Sequence, residues 1–158
     1  MQLRKATTTD AMLYYNWAND EAVRKNSLRQ NRIEWEHHRN WFAQKLQSEQ
    51  SYLYILEEEG IPVGQIRYDI ADGEAIIGFS IDRAWRGQGM GKAILQKSIP
   101  MFQQEIRDRV QGLKAVVKHN NIASLKVFES LGFSHSKDIE VAQQACTVFR
   151  LPIGQPHL

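Results

Sequence analysis

The sequence predicts one α/β domain: a mixed, mostly antiparallel central sheet of about seven strands flanked by about four helices. Three observations carry this expectation. Helical patterns open the chain, three strand-like runs joined by short turn signals follow in its middle, and a glycine-rich loop then opens a long helix. The 158 residues suit a single domain over 1–152 with a loose tail at 153–158, GQPHL forming its end.

A short strand, Gln2 to Lys5, comes first. Thr8, Thr9 and Asp10 supply capping side chains for a helix in which Met12, Tyr15 and Asn19 recur at helical spacing beside Tyr14 and Trp17. The polar, basic stretch EAVRKNSLRQNR reads as a connector. A second helix spans Glu34 to Gln47, with Trp35, His38, Phe42 and Leu46 on one face. The period then changes. Tyr52 to Glu58 and Val63 to Ile70, joined by EEGIP, form a hairpin, and Asp72-Gly73 turns the chain into a third antiparallel strand, Glu74 to Ile81. Beyond the glycine loop lie a helix from about Gly91 to Arg109 that Pro100 should kink and a buried strand around LKAVV. A helix from Ile122 to Leu131 stopped by Gly132 and two closing strands complete the chain.

Composition excludes several classes. Hydrophobic residues make up 42% and charged residues 24%, and no apolar run approaches the ~18 residues of a membrane span. Without a signal-like start, a cytoplasmic protein with no membrane partner is expected. Lys and Arg total 20 against 18 Asp and Glu, a net charge of +2. That bias is too weak to argue for nucleic acid, while an anionic small ligand stays open. Cys146 is the single cysteine, so neither an internal disulfide nor a CxxC metal site exists; within AQQACTVFRL it reads as a buried small hydrophobe. No metal is expected.

The stretch RGQGMGKAIL, Arg86 to Leu95, carries the chemistry. Unpaired amides at a helix N-terminus hold phosphate, and glycines let that backbone come close. Lys92 follows the last glycine with no Ser or Thr after it, so this is not a P-loop. It follows a hairpin series rather than the first strand of a βαβ unit, so it is not a dinucleotide fingerprint either. What remains is Arg86-x-x-Gly89-x-Gly91 after SIDRAW. This resembles the [RQ]xxGx[GA] signature of the GNAT superfamily of acyl-CoA-dependent N-acetyltransferases. NNIASLKVFESLGF, Asn120 to Phe133, is similar to that family's other motif, and the order of elements matches over nearly the whole chain.

The resemblance implies acetyl-CoA as donor, held between splayed fourth and fifth strands. The amides of Gln88, Gly89, Met90 and Gly91 would bind the pyrophosphate, with Arg86 and Gly87 leading into the turn. The backbone of Ile81 would pair with the pantetheine arm, and Asn121 and Phe128 would line the cofactor's far side. For Asn121, helix capping is an equal and compatible role. Two departures stand out. Many members have a tyrosine at the position of Phe128 to protonate the leaving sulfur, which leaves water or Ser124 as donor. The acidic residue that relatives place two residues before a glycine such as Gly78 is Ile76 here. Glu74, on the same strand face, is the nearest substitute base, although it also reads as a solvated turn residue.

The acceptor side is expected from YNWANDEAVRKNSLRQNRIEWEHHRNWF. Trp17, Asn19, Asp20, Val23, Arg24, Ser27, His38, Trp41 and Phe42 resemble the amino-sugar N-acetyltransferases of pseudaminic acid biosynthesis, and Gly64-Gln65 fits that subgroup. The resemblance implies a primary amine of a nucleotide-linked amino sugar as acceptor, with Arg24, His38 and Trp41 binding it and a homodimer left open. His38 reads either as a packed core histidine or as a base or substrate partner. Arg24, Lys25, Arg29 and Arg32 suit a diphosphate, or else form a solvated loop. A protein or peptide N-acetyltransferase and a non-catalytic acyl-CoA-binding module are the alternatives.

Overall fold

The structure, a computed structural model, describes residues 1–153. Its elements are β1 (Gln2–Lys5), α1 (Ala11–Ala18), α2 (Glu21–Asn26), α3 (Trp35–Gln47), β2 (Ser51–Glu58), β3 (Ile61–Ala71) and β4 (Glu74–Ile81). There follow α4 (Met90–Ile106), β5 (Gly112–Lys118), α5 (Ile122–Ser130), β6 (Ser134–Val141) and β7 (Gln144–Pro152). The seven strands form one sheet in the order β1-β2-β3-β4-β5-β7-β6. Only β4 and β5 run parallel; every other pair is antiparallel. Of the expected loose tail, Ile153 packs on the core and its amide donates to the Gln111 carbonyl. Residues 154–158 lie outside the described residues.

Turn chemistry sets the hairpins. Glu59-Gly60, Asp72-Gly73 and Ala142-Gln143 each place two successive residues at positive φ, the requirement of a tight two-residue hairpin turn. Glycine meets it at no cost at the second position of the first two turns, after Glu59 (φ 51) and Asp72 (φ 53), whereas Ala142 (φ 50) and Gln143 (φ 63) hold both positions against steric preference.

Strand alternation then divides the apolar residues between two layers. Tyr54, Leu56, Ile66, Tyr68, Ala75 and Ile77 face α4 and α5 in the larger core, and Leu53 and Ile55 meet Tyr14, Trp17 and Phe42 of α1 and α3 on the opposite face. The buried Tyr68 hydroxyl shares a 2.7 Å hydrogen bond with Ser98 of α4. Helix α4 continues through Pro100 as one element and ends at Ile106, short of the expected Arg109.

Helix α2 lies inside the expected connector. Asp20 caps it by accepting from the amides of Ala22 and Val23 at 3.0 and 3.2 Å. With six residues, it is too short to print a helical period on the sequence. Its supports come from across the sheet: Lys118 at the end of β5 donates to the Lys25 carbonyl at 2.9 Å, and Gln144 of β7 to Leu28 at 3.1 Å.

Candidate active site

The pairing of β4 with β5 covers Glu74, Ala75 and Ile76 and then stops. The Asp82 amide donates to the Val63 carbonyl of β3. By antiparallel alternation, Ile77, Phe79 and Ile81 therefore turn their peptide groups the other way, toward the strand that has diverged. This leaves a run of backbone donors and acceptors on the wall of a cleft. Its cavity, about 260 Å³, lies between Phe79, Ser80 and Ile81 on one side and Asn121, Ala123 and Ser124 at the start of α5 on the other, beneath Val23 and Asn26 of α2. On the far side of β4, β3 approaches so closely that a Cβ on Gly64 would lie 2.7 Å from the Ser80 carbonyl oxygen. Only glycine fits there.

The glycine loop closes one end. Gly87 (φ +75) and Gly89 (φ +77) both need the left-handed conformation, and a Cβ on either would meet open space. Gly89 is the N-cap of α4, so the first amides of a 17-residue helix face that space. Gly91 is glycine for packing, because its Cβ would come within 3.1 Å of the Phe79 ring. Arg86 does not reach into the loop: its Nε donates to the Ile81 carbonyl at 3.0 Å and an Nη to Asp20 at 2.7 Å. Burial works against the charge on Asp20, but Arg86 and the α2 amides outweigh it and hold this carboxyl below the usual range.

Asn121 caps α5, its side-chain oxygen accepting from the Ser124 amide at 3.3 Å. It also lines the cleft, so the two roles expected for it are compatible. Ser124 lines the cleft beside it. Phe128 sits one turn further on, 2% exposed, behind the wall among Phe79, Phe133 and Phe149.

Two further cavities adjoin the cleft, the inner one sharing Val23, Ser27, Phe79 and Ser80 with it and the outer one Ser27. The inner one, about 200 Å³, lies among Tyr14, Arg24, His38, Trp41, Gln65, Arg67 and Gly78. The outer one, about 860 Å³, adds Arg29, Arg32, Glu34 and His37. Four arginines thus face one carboxylate. Arg24 is the loop's organiser: it donates to the carbonyls of Ala18 (2.7 Å), Arg29 (2.9 Å) and Asn31 (3.3 Å) and to Ser27 Oγ (3.1 Å). His38 is 2% exposed and packs against Tyr15, Trp41 and Phe42. Its Nε2 lies 3.2 Å from the Ala11 carbonyl. A carbonyl only accepts, so Nε2 carries the hydrogen and Nδ1 the lone pair. Burial pushes its pKa down, which favours the neutral ring.

The structure thus brings Arg24, His38 and Trp41 together in the inner cavity, and Ile81, Arg86, Asn121 and Ser124 around the cleft. Glu74 stands apart from both. At the start of β4 its carboxylate is gripped by Arg150 at 2.8 and 3.2 Å, the contact that chiefly lowers its pKa. Arg67 is the residue sequence reasoning missed. Its alternation in QIRYD reads as a solvent-facing strand position, and only the folded sheet sets it under Trp41.

Residues 1–134 match the model of the acetyltransferase (GNAT) domain. The chain belongs to the GNAT family. It is accordingly an acetyl-CoA-dependent N-acetyltransferase. Its fold is that of a ribosomal-protein-alanine N-acetyltransferase from Brucella melitensis (TM-score 0.82, 17% identity, 97% of this chain and 100% of that one). An aminoglycoside acetyltransferase in complex with coenzyme A is similar over 96% of this chain and 94% of its own, at TM-score 0.81 and 15% identity. So is a spermidine N-acetyltransferase from Vibrio cholerae in complex with coenzyme A and spermine, at TM-score 0.82 and 10% identity, over 96% and 94%. No curated protein matches the chain in sequence. Among the described residues no group of three or more His, Cys, Asp or Glu side chains is suited to a metal, and no helix is long and apolar enough to cross a membrane.

Proposed function

We propose that the enzyme acetylates the primary amine of a nucleotide-linked amino sugar, in the manner of the amino-sugar N-acetyltransferases its acceptor segment resembles. The observation that carries this reading is the charge of the outer cavity, whose lining holds Arg24, Arg29, Arg32 and Arg67 against one carboxylate, Glu34, with Arg67 also paired to Asp69 behind it. Polycationic acceptors such as the spermine bound by the Vibrio cholerae enzyme would be repelled here. A diphosphate would be drawn in, and Trp41 offers a flat base or sugar ring a stacking surface.

In this reading the donor's pyrophosphate rests on the amides of Gln88 to Gly91, and its pantetheine arm follows the open edge of β4. The amine enters from the inner cavity beside Gly78 and Ser80. Its nitrogen forms a bond to the thioester carbon, and the oxyanion that develops meets a β4 amide on that edge. His38 Nδ1 takes the amine's proton, since burial keeps the ring neutral and the Ala11 carbonyl fixes its tautomer. The carbon–sulfur bond then breaks. A thiolate is a stable leaving group; Ser124 is one of the cleft hydroxyls that can hydrogen-bond it while it takes its proton from water, with Phe128 held behind the wall.

Thiol release measured with UDP-linked 4-amino sugars, polyamines and peptides tests the proposal. Turnover of the nucleotide sugar above the others is expected. Turnover of peptides or polyamines with none of the sugar overturns it.

A further inference from the structure

Arg67 differs from the other three cavity arginines in how its donors are used. Those of Arg24 are spent on backbone carbonyls and Ser27, and Arg29 and Arg32 lie exposed on the loop. Arg67 is fixed from three sides. Its Nε donates to Asp69 at 2.6 Å, its guanidinium carbon lies 5.1 Å from the centre of the Trp41 ring, and an Nη rests against Gly78. A Cβ on Gly78 would stand 3.5 Å from that nitrogen, in ordinary van der Waals contact, so the guanidinium lies directly over the sheet at this position.

Asp69 does not neutralise this cation by itself. It also accepts from Lys45 at 3.0 Å and from Ser51 at 2.6 Å, so one carboxylate is shared between two cations. Among the described residues neither terminal nitrogen of Arg67 donates to a protein acceptor. The side chain lines the inner and the outer cavity, at their junction. A guanidinium oriented through Nε, stacked on an indole and with its outer edge free is pre-organised for an oxyanion. The same floor holds a second unused group. Gln65 donates to Ser80 Oγ at 2.9 Å, and its own side-chain oxygen is buried with no partner. That oxygen suits an N–H or O–H of the bound acceptor.

We propose that Arg67 is the anion anchor of the acceptor site: its two terminal nitrogens take a phosphate or carboxylate oxygen of the acceptor, which sets the amine at the open edge of β4. This rests on the acetyltransferase reading and deepens its acceptor side. The two anion sources share one chemistry. A diphosphate bridges from Arg67 outward to Arg29 and Arg32, whereas the carboxylate of an amino acid is held by Arg67 alone.

The full-length protein saturated with coenzyme A, which blocks the donor's own phosphate site, is titrated with UDP and separately with a panel of amino acids. The parent, Arg67→Gln and Arg67→Lys are compared, each first measured for coenzyme A affinity to show that it is folded. A charge-assisted pair predicts a loss of about 10- to 100-fold for Arg67→Gln and a smaller one for Arg67→Lys, which keeps the charge but not the fork. Coenzyme A affinity should not change. UDP binding that falls in this way supports the anchor with a phosphate source. Amino-acid binding that falls while UDP never binds supports the anchor and removes the nucleotide-sugar proposal. Binding of either probe that is equal in parent and Arg67→Gln, or binding of neither to the parent, overturns the anchor. Nucleotide-sugar turnover whose KM ignores Arg67→Gln does so too, and leaves the proposed function standing.

Discussion

Gly89 is the position at which the donor site is most sharply testable. Its φ of +77 is a conformation that costs an L-residue about 1–2 kcal/mol, yet nothing lies within 4 Å of where a Cβ would stand. Gly89→Ala should therefore fold with a modest loss, about 2–8 °C in Tm for a chain of this size. Gly89→Glu carries the same backbone cost and adds a carboxylate beside the first amides of α4, where the pyrophosphate is expected. A pair of like charges 4 Å apart costs about 1 kcal/mol in water and about 4 kcal/mol at an effective dielectric of 20. At this exposed loop, against two phosphate charges, about 2–4 kcal/mol is expected, or a loss of coenzyme A affinity on the order of 100-fold. The defect should shrink in 1 M salt, where screening acts over about 3 Å. Gly132 supplies the control: its φ is +85, its Cβ position is equally open, and it lies at the opposite end of α5 from Asn121. Gly132→Ala should lose similar stability and no cofactor affinity. Calorimetry with coenzyme A on the three folded variants checks this. Parental affinity in Gly89→Glu, or an equal loss in Gly132→Ala, refutes the helix-terminus site.

Other outcomes follow from single observations. Phe128→Tyr places a hydroxyl among Phe79, Phe133 and Phe149 and should lower stability by about 1–3 kcal/mol in denaturant unfolding; an undiminished variant would mean that the hydroxyl reaches the cleft. Burial lowers the pKa of His38 in the fold below its ordinary 6.5, so the unfolded chain binds more protons between those two values. Stability is then level above pH about 6.5 and falls as the pH drops below it. His38→Leu should flatten that fall in a series of Tm measurements, and an unchanged slope would count against the buried ring. Replacing Ala142-Gln143 by Asn-Gly gives the β6–β7 turn residues that accept positive φ and should raise Tm, a gain on the order of 1 kcal/mol. A lower Tm would show that the turn has another geometry.

The sheet was legible because its signals are local. The strand Glu74 to Ile81 has the expected bounds, fixed by Asp72-Gly73 before it and by a period of two within it. The glycine loop could be read because left-handed φ and close packing are requirements few residues meet. What escaped the sequence are features that depend on distant partners. The fixed geometry of Arg67 depends on Trp41 from α3 and on Asp69, whose charge it shares with Lys45. His38 is packed on the apolar helix face, as one of its two readings expects, and it also forms part of a cavity wall, which the helical period alone does not reveal. The pairing of Glu74 with Arg150 lies 76 residues away along the chain, and only the β5–β7 crossover brings the two together.

Helix α2 shows how such distant contacts unite the two halves of the site. Its N-cap, Asp20, is bonded to Arg86, and Arg86 also holds the Ile81 carbonyl on the open edge of β4. Its other end meets Lys118, a cation 5% exposed that donates to the Lys25 carbonyl, where the negative end of the helix dipole lies. The helix therefore spans the mouth of the splay, fastened to the β4 side at one end and to the β5–β7 side at the other. Its Val23 and its C-cap Ser27 line both the cleft and the inner cavity. A shift of α2 that widens the cleft must alter the wall of the inner cavity as well, because the same side chains form both. The coupling needs no relay through the core: it follows from one short helix, capped by an aspartate that also pairs with the first residue of the glycine loop.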